Sequence, residues 1–152
     1  MREGSRPVAS RLRDLSARRD AVKGRREDLI AAVAADFGHR AWQETLGFDI
    51  LSTVKTIDYL RRNLPGWMRP ERRRVALHFR PGAAWVGYEP IGVGGPVSPW
   101  NYPIVSALSP LATALAAGNR VMLTQAFGTR PPALPLRWPL CSPGSSRPTP
   151  FR

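Results

Sequence analysis

Few side chains in this 152-residue sequence could carry out covalent or acid–base chemistry. Cys141 is the only cysteine, which excludes an intramolecular disulfide and a zinc site built on several thiolates. A reactive thiolate needs a fixed, electropositive setting, whereas Cys141 lies in a proline-rich stretch without periodicity. His39 and His78 have no catalytic motif around them and are expected at the surface or at a helix end. No Asp or Glu follows Glu89, so the sequence predicts neither a general base in its second half nor a metal site.

The loop Ser98-Pro99-Trp100-Asn101 is the other place where chemistry could occur. It follows a glycine-rich apolar run and precedes an apolar helix. Asn is a favoured helix N-cap, so spacing alone favours Asn101 as the cap of a helix that begins near Tyr102 or Pro103. Trp100 taken alone is an ordinary packed aromatic. What this loop can do therefore depends on the elements that hold it.

Two stretches in the first half of the chain have the periodicity of amphipathic helices. In residues 6–37, apolar side chains recur at helical spacings between Arg and Glu, which predicts one long helix or two. Gly24 is the expected weak point and Gly38 the expected stop. A second helix is predicted from Trp42 to about Asn63, ended by Pro65-Gly66.

After these helices the pattern changes to that of strands. Residues 75–89 alternate apolar and polar positions around Pro81-Gly82, which predicts a β-hairpin with its first strand at residues 75–79. Residues 91–97 are typical of a buried strand, residues 104–117 predict an apolar helix, and residues 121–123 predict another buried strand. Strand, helix and strand in that order predict a right-handed βαβ unit.

The run from Pro90 to Pro103, PIGVGGPVSPWNYP, resembles the aldehyde dehydrogenase superfamily, in which a strand of the form P-x-G-V ends in a P-W-N-[FY]-P loop. Residues 110–111 and 114–121 look like the family's next helix and the turn into the following strand. Residues 35–40 and 67–70 are most similar to the coniferyl-aldehyde dehydrogenase branch. The resemblance covers about residues 6–130.

The resemblance implies one catalytic residue and several residues that contact NAD or NADP. Asn101 matches the asparagine whose side-chain N–H stabilises the oxyanion formed when a cysteine thiolate attacks an aldehyde, and in this context that role outweighs capping. The strand-end loop that contacts the nicotinamide half of the dinucleotide is matched by Val97, Ser98, Pro99 and Trp100. Thr124 begins the run that replaces the family's K-P-S-E-type segment. Both charged ribose anchors are absent there: Thr124 still offers a hydroxyl, but Phe127 cannot accept a hydrogen bond.

The expected fold is α/β, with N-terminal helices, a β-hairpin and an incomplete Rossmann-like βαβ unit, followed by a disordered C-terminal tail. The expected divisions are residues 1–74 for the N-terminal helical region and 75–90 for the hairpin of the oligomerisation region. Residues 91–130 would form a partial dinucleotide-binding domain, and residues 131–152 the disordered tail, in which prolines are frequent.

The resembled family oxidises aldehydes to carboxylic acids through a thiohemiacetal, hydride transfer to NAD(P)+ and hydrolysis. Its cysteine nucleophile, its glutamate and its glycine-rich turn lie beyond the matching part of this chain. We therefore expect an N-terminal fragment that is inactive alone, with a tail that arises from a reading-frame shift near Thr129. The alternative is a non-catalytic interaction module in which the region from Trp85 to Glu89 pairs with intact dehydrogenase subunits.

Charge and apolar runs bear on the other possible partners. Lys and Arg total 23 against 11 Asp and Glu, but only Lys23 and Lys55 are lysines, a skew that GC-rich codons would give whatever the function. Nucleic-acid binding is therefore the weakest alternative, and it would use the cluster Arg61, Arg62, Arg69, Arg72, Arg73, Arg74 and Arg80. The longest apolar stretch, residues 104–117, is too short to span a bilayer, and residues 1–14 lack a signal-peptide core. No membrane partner is expected, and the expected location is the cytoplasm.

Overall fold

The computed structural model of the chain describes residues 6–125, and helices form most of its core. Helix α1 spans Val8–Gly24 and helix α2 spans Arg26–Phe37. They are separated at Arg25, next to the predicted weak point. Gly38 then has a φ of 72°, a left-handed conformation that glycine adopts freely, and its N–H donates to the Ala34 carbonyl at 2.8 Å. Two helices with a stop at Gly38 are thus confirmed.

A continuous helical segment follows in three parts: α3 at Trp42–Glu44, a π-helical stretch at Thr45–Leu51, and α4 at Ser52–Trp67. The predicted end at Pro65-Gly66 is wrong, because the Met68 N–H still bonds to the Leu64 carbonyl at 3.1 Å. Pro65 lies in the last turn, where its missing N–H removes a single helical hydrogen bond.

The π-helical stretch turns polar side chains towards the interior. Its buried residues are Thr45, Asp49 and Ile50. The Ser52 hydroxyl bonds to the Gly47 carbonyl, five residues earlier, at 3.2 Å. Such widened turns are rare and often occur at functional sites. The stretch matters here because it places the fully buried Asp49 inside the fold.

Helix α5, Pro103–Ala116, packs against α1 and α4 and confirms the helix predicted over residues 104–117 to within one residue at each end. Buried apolar side chains form two clusters, and α5 contributes to both. The first contains Val22, Leu29, Val33, Ile50, Val54, Ile104, Leu108 and Leu111. The second contains Leu15, Ile57, Leu60, Leu64, Ala112 and Ala116. The N-terminal helices and the helix of the βαβ unit therefore share their apolar core.

An antiparallel strand pair is present, but its first strand is not where the sequence predicts it. Strand β1 (Glu71–Arg73) pairs with β2 (Ala84–Val86). The prediction of a strand at residues 75–79 is wrong, because Leu77–Phe79 forms a 3-10 turn closed by a bond from the Arg80 N–H to the Leu77 carbonyl at 3.1 Å. Leu77 and Phe79 are 78% and 66% exposed. Alternating apolar residues favour a strand only when one face of it is buried, and here neither side chain is buried.

The strand–helix–strand unit is confirmed, but each strand consists of two short pieces, and only Val121 of the second predicted strand, residues 121–123, is in a strand. Strand β3 (Val93–Gly94) pairs in parallel with β5 (Arg120–Val121), and β4 (Val97–Ser98) with β6 (Thr124–Gln125). The N–H groups of residues 120, 122 and 124 donate to the carbonyls of residues 92, 94 and 96 at 2.8, 2.9 and 3.1 Å. Pro96 has no N–H to return a bond, and this interrupts the ladder between the two pairs.

Candidate active-site loop before helix α5

The loop between β4 and α5 presents most of its side chains to solvent. Val97, Pro99, Trp100 and Asn101 are exposed, whereas Ser98 is 1% exposed and its hydroxyl donates to the Pro99 carbonyl at 3.2 Å. Ser98 therefore offers almost no surface to a ligand. Thr124 is exposed and lies opposite Val97 in the parallel pair. The structure thus brings the predicted cofactor-side residues to the carboxyl ends of two neighbouring strands.

Asn101 is not a helix cap, and Trp100 is not an ordinary packed aromatic. Helix α5 has Tyr102 at its N-cap position and no side-chain cap bond there, so the capping interpretation of Asn101 is wrong. Trp100 contacts the Phe37 ring, with centroids 6.5 Å apart, but it is 66% exposed and is not a core residue. Both side chains remain accessible at the strand end.

The start of α5 is capped from a distant part of the chain. The Asp49 carboxylate oxygen Oδ1 accepts hydrogen bonds from the N–H of Ile104 at 3.2 Å and of Val105 at 2.9 Å. These are amides of the first helical turn, which have no partner within the helix. A negative carboxylate at this end also suits the helix dipole. Asp49 therefore does what the sequence suggested for Asn101.

Arg40 binds the main chain of the loop. Its Nη2 donates to the Asn101 carbonyl at 2.9 Å and to Glu44 Oε1 at 3.1 Å. The guanidinium carbon lies 4.3 Å from the centre of the Phe37 ring and 4.6 Å from that of Tyr102, and the side chain is 9% exposed. The Tyr102 hydroxyl also bonds to Glu44 Oε1, at 3.2 Å. We call Phe37, Arg40, Glu44, Asp49 and Tyr102 the Arg40 cluster.

Burial sets the charge balance within the Arg40 cluster. Removal from water raises the pKa of Asp49, while the hydrogen bond from Val105, the Arg40 charge and the bond from Ile104 act in the opposite direction. Arg40 Nη1 and Asp49 Oδ2 are 3.8 Å apart, close enough to attract but too far for a hydrogen bond, and neither atom has another hydrogen-bond partner. The contact is therefore an ion pair without a direct hydrogen bond.

The end of α5 is held by a second buried charge. Arg11 is 1% exposed, and its Nη1 donates to the Ala116 carbonyl at 3.0 Å while its Nε donates to the Arg6 carbonyl at 2.9 Å. Burial lowers the pKa of Arg11, and Arg6 lowers it further. Gly118, with a φ of 87°, closes the helix beside it, and a Cβ there would lie 2.6 Å from the Arg11 guanidinium carbon. A positive charge at this end again suits the helix dipole.

The other chemical candidates do not join the loop. His39 and His78 are exposed, as predicted. Cys141 and the predicted tail lie outside the described residues. Between residues 6 and 125, no group of three or more His, Cys, Asp or Glu side chains could hold a metal ion. In the same range, no helix is long and apolar enough to cross a membrane.

Comparison with known proteins identifies the family. The sequence profile of the aldehyde dehydrogenase family matches residues 4–134 of this chain. The chain belongs to the aldehyde dehydrogenase family. All of the elements from α1 to β6 fall within the matched range.

Similar aldehyde dehydrogenases include enzymes of the predicted branch. A probable coniferyl aldehyde dehydrogenase of Pseudomonas aeruginosa is 42% identical over 122 residues, which cover 80% of this chain and 26% of the relative. A coniferyl aldehyde dehydrogenase of a Pseudomonas species is 46% identical over 99 residues, 64% of this chain and 20% of the relative. The substrate-bound state of Staphylococcus aureus AldH has a TM-score of 0.75 at 25% identity, covering 80% of this chain and 26% of that one. The chain thus spans about a quarter of the length of the relatives it matches.

A structural neighbour of this aldehyde dehydrogenase chain carries a dinucleotide. The NAD+ complex of an aldehyde dehydrogenase from Bacillus cereus has a TM-score of 0.65 at 26% identity, covering 78% of this chain and 23% of that one. In the present chain Val97, Pro99 and Trp100 are exposed and uncharged. Residues 121–125 contain no charged side chain, and Thr124 supplies a hydroxyl there.

Proposed function

We propose that this chain carries the oxyanion and nicotinamide loop of an NAD(P)-dependent aldehyde dehydrogenase. The supporting observation is the position of Asn101, exposed in the loop between β4 and α5, with its main-chain carbonyl bound by Arg40 at 2.9 Å. A donor that is fixed before reaction stabilises charge as it develops and needs no reorganisation in the transition state. The substrate class we propose is an aromatic aldehyde such as coniferaldehyde, after the names of the relatives.

The proposed chemistry assigns one step to this chain. A cysteine thiolate adds to the aldehyde carbon, and the carbonyl electron pair moves onto oxygen. The Asn101 amide N–H donates to that oxygen and holds the tetrahedral adduct. NAD(P)+, held by the exposed and uncharged Val97, Pro99 and Trp100, would supply the acceptor for the hydride that the adduct must lose to become a thioester. Water would then release the carboxylic acid and the thiol. Residues 6–125 contain no cysteine, so the nucleophile must come from elsewhere.

The 152-residue polypeptide is accordingly proposed to be inactive alone, and the single cysteine agrees with a reducing, cytoplasmic location. The purified chain should form no reduced nicotinamide from coniferaldehyde or aliphatic aldehydes with either NAD+ or NADP+. Turnover that disappears in the Asn101→Ala variant would overturn this part of the proposal.

Reconstitution tests the role of Asn101 directly. The chain is co-expressed with the part of the P. aeruginosa relative that it does not match, and that relative's own matching quarter serves as the positive control. We expect coniferaldehyde oxidation, with kcat lowered about 10²- to 10³-fold by Asn101→Ala. Asn63→Ala, in which the lost amide bonds only to the Tyr59 carbonyl on α4, is the matched control and should leave kcat unchanged. Turnover with the control segment but none with this chain, or full turnover with Asn101→Ala, would refute the proposal.

A second candidate function is association with intact dehydrogenase subunits. The β1–β2 pair favours it, because all six of its residues are exposed and Trp85 and the following Tyr88 are 61% and 64% exposed. Exposed aromatic side chains on a strand pair are typical of contact surfaces. Co-purification with a full-length homologue that is lost in Trp85→Ser would support this function, and co-purification unaffected by that change would exclude this surface.

A further inference from the structure

We propose that Arg40 is a positioning residue for Asn101, which it holds in place through the main chain. Arg40 bonds to two groups and faces a third. Its Nη2 reaches Glu44 and the Asn101 carbonyl, and its Nη1 faces Asp49 at 3.8 Å. A planar guanidinium presents N–H donors in several fixed directions at once, whereas a lysine has a single ammonium group on a flexible stem.

The surroundings of Arg40 fix the plane of that fork. Phe37 and Tyr102 each lie within 5 Å of the guanidinium carbon, at 4.3 and 4.6 Å from their ring centres. Cation–π contacts of this kind are stronger where water is excluded, and the Arg40 side chain is 9% exposed. The donor that faces Asn101 is therefore oriented by contacts from α2 and from the loop itself.

The same cluster anchors the residues on the other side of Asn101. Glu44 accepts a hydrogen bond from the Tyr102 hydroxyl at 3.2 Å, and Asp49 accepts hydrogen bonds from the amides of Ile104 and Val105. Asn101 thus has its own carbonyl bound and is followed directly by residues that are bound. Its side chain is exposed, so its direction depends on the main chain that carries it. This inference rests on the proposed function only for what Asn101 does in the reaction.

The test uses the isotope-labelled 152-residue chain and requires no turnover. We expect the Asn101 backbone amide to have an order parameter near the rigid value of about 0.85, and Arg40→Ala to lower it below about 0.6 and to shift the Asn101 side-chain amide signal. Exchange of the Leu108 amide in the middle of α5 should stay slow. Methylguanidinium, compared with NaCl at equal ionic strength, should restore the Asn101 signals, because it can occupy the space between Phe37 and Tyr102.

Two further variants decide the remaining cases. Arg26→Ala removes an arginine that pairs only with its neighbour Glu27 on exposed surface, and it should change nothing at Asn101. If Arg40→Ala unfolds the chain, Arg40→Lys tests the proposal instead, because it keeps a positive charge beside Asp49 but removes the planar guanidinium. Arg40→Lys should then loosen Asn101 alone. An ordered Asn101 in a folded Arg40→Ala or Arg40→Lys variant would overturn the proposal, whether or not reconstitution succeeds.

Discussion

Replacement of Asp49 should separate its role as a hydrogen-bond acceptor from its role as a charge. Asp49→Ala leaves the amides of Ile104 and Val105 without an acceptor inside the fold and takes one of two carboxylates from Arg40. A buried unsatisfied amide costs about 1–3 kcal/mol, and release of the desolvated carboxylate offsets part of the loss. We expect the free energy of unfolding to fall by about 2–4 kcal/mol. Asp49→Asn keeps an acceptor oxygen and should cost about 1 kcal/mol.

The sign of the pH dependence follows from the raised pKa of Asp49. A folded-state pKa above the unfolded value means that the folded chain keeps a proton which the unfolded chain has already lost. The advantage of the natural chain over Asp49→Asn should therefore be largest below the unfolded value of about 3.9. It should decrease as pH rises from there through the folded pKa, and stay constant above it.

Urea unfolding followed by far-UV circular dichroism, repeated across pH, measures both effects. Glu27→Gln is the control for loss of a carboxylate, since Glu27 is 81% exposed, and it should change stability by less than about 0.5 kcal/mol. Equal losses in Asp49→Asn and Asp49→Ala would refute the acceptor argument. A difference between the natural chain and Asp49→Asn that grows with pH would refute the electrostatic one.

Other predictions concern the end of α5 and the exposed strand pair. Gly118→Ala should lower the free energy of unfolding by at least about 1–2 kcal/mol, because it combines a left-handed backbone with a Cβ 2.6 Å from Arg11. Gly24→Ala, where a Cβ meets nothing within 4 Å and φ is not left-handed, should instead be neutral or stabilising by up to about 1 kcal/mol, and a thermal melt of the two variants distinguishes them. Arg11→Leu should speed hydrogen exchange at the last turn of α5 more than at its first turn, since the lost bond is at Ala116. Trp85→Ser should reduce association with an intact dehydrogenase subunit in sedimentation velocity, because Trp85 is 61% exposed.

Much of the fold could be predicted because its signals are local. Glycine at position 38 is needed for a left-handed φ, and Gly118 ends α5 in the same way. The helical spacing of apolar residues in α5 can be read from its own sequence, without knowledge of the elements that it packs against. The strand at residues 75–79 was predicted wrongly for the converse reason: alternation is informative only where one face is buried, and Leu77 is 78% exposed.

The Arg40 cluster could not be predicted, because its bonds join residues that are distant in sequence. Arg40 reaches Asn101 across 61 positions, and Asp49 reaches Val105 across 56. One sign was available: Asp49 stands beside Ile50 and three residues after Leu46, on the apolar stripe of its helix, where a carboxylate needs a partner. The sequence motif did locate the exposed loop around Asn101, but it did not reveal what holds that loop.

The two charges at the ends of α5 predict an order of assembly. The bond from Arg11 spans 105 positions and those from Asp49 span 55 and 56, and in each case the earlier residue belongs to the N-terminal helices. Synthesis delivers those helices first, so the acceptor for one end and the donor for the other exist before α5 leaves the ribosome. We expect residues 103–116 to acquire stable structure only by docking onto a preformed scaffold, at a rate limited by these distant contacts.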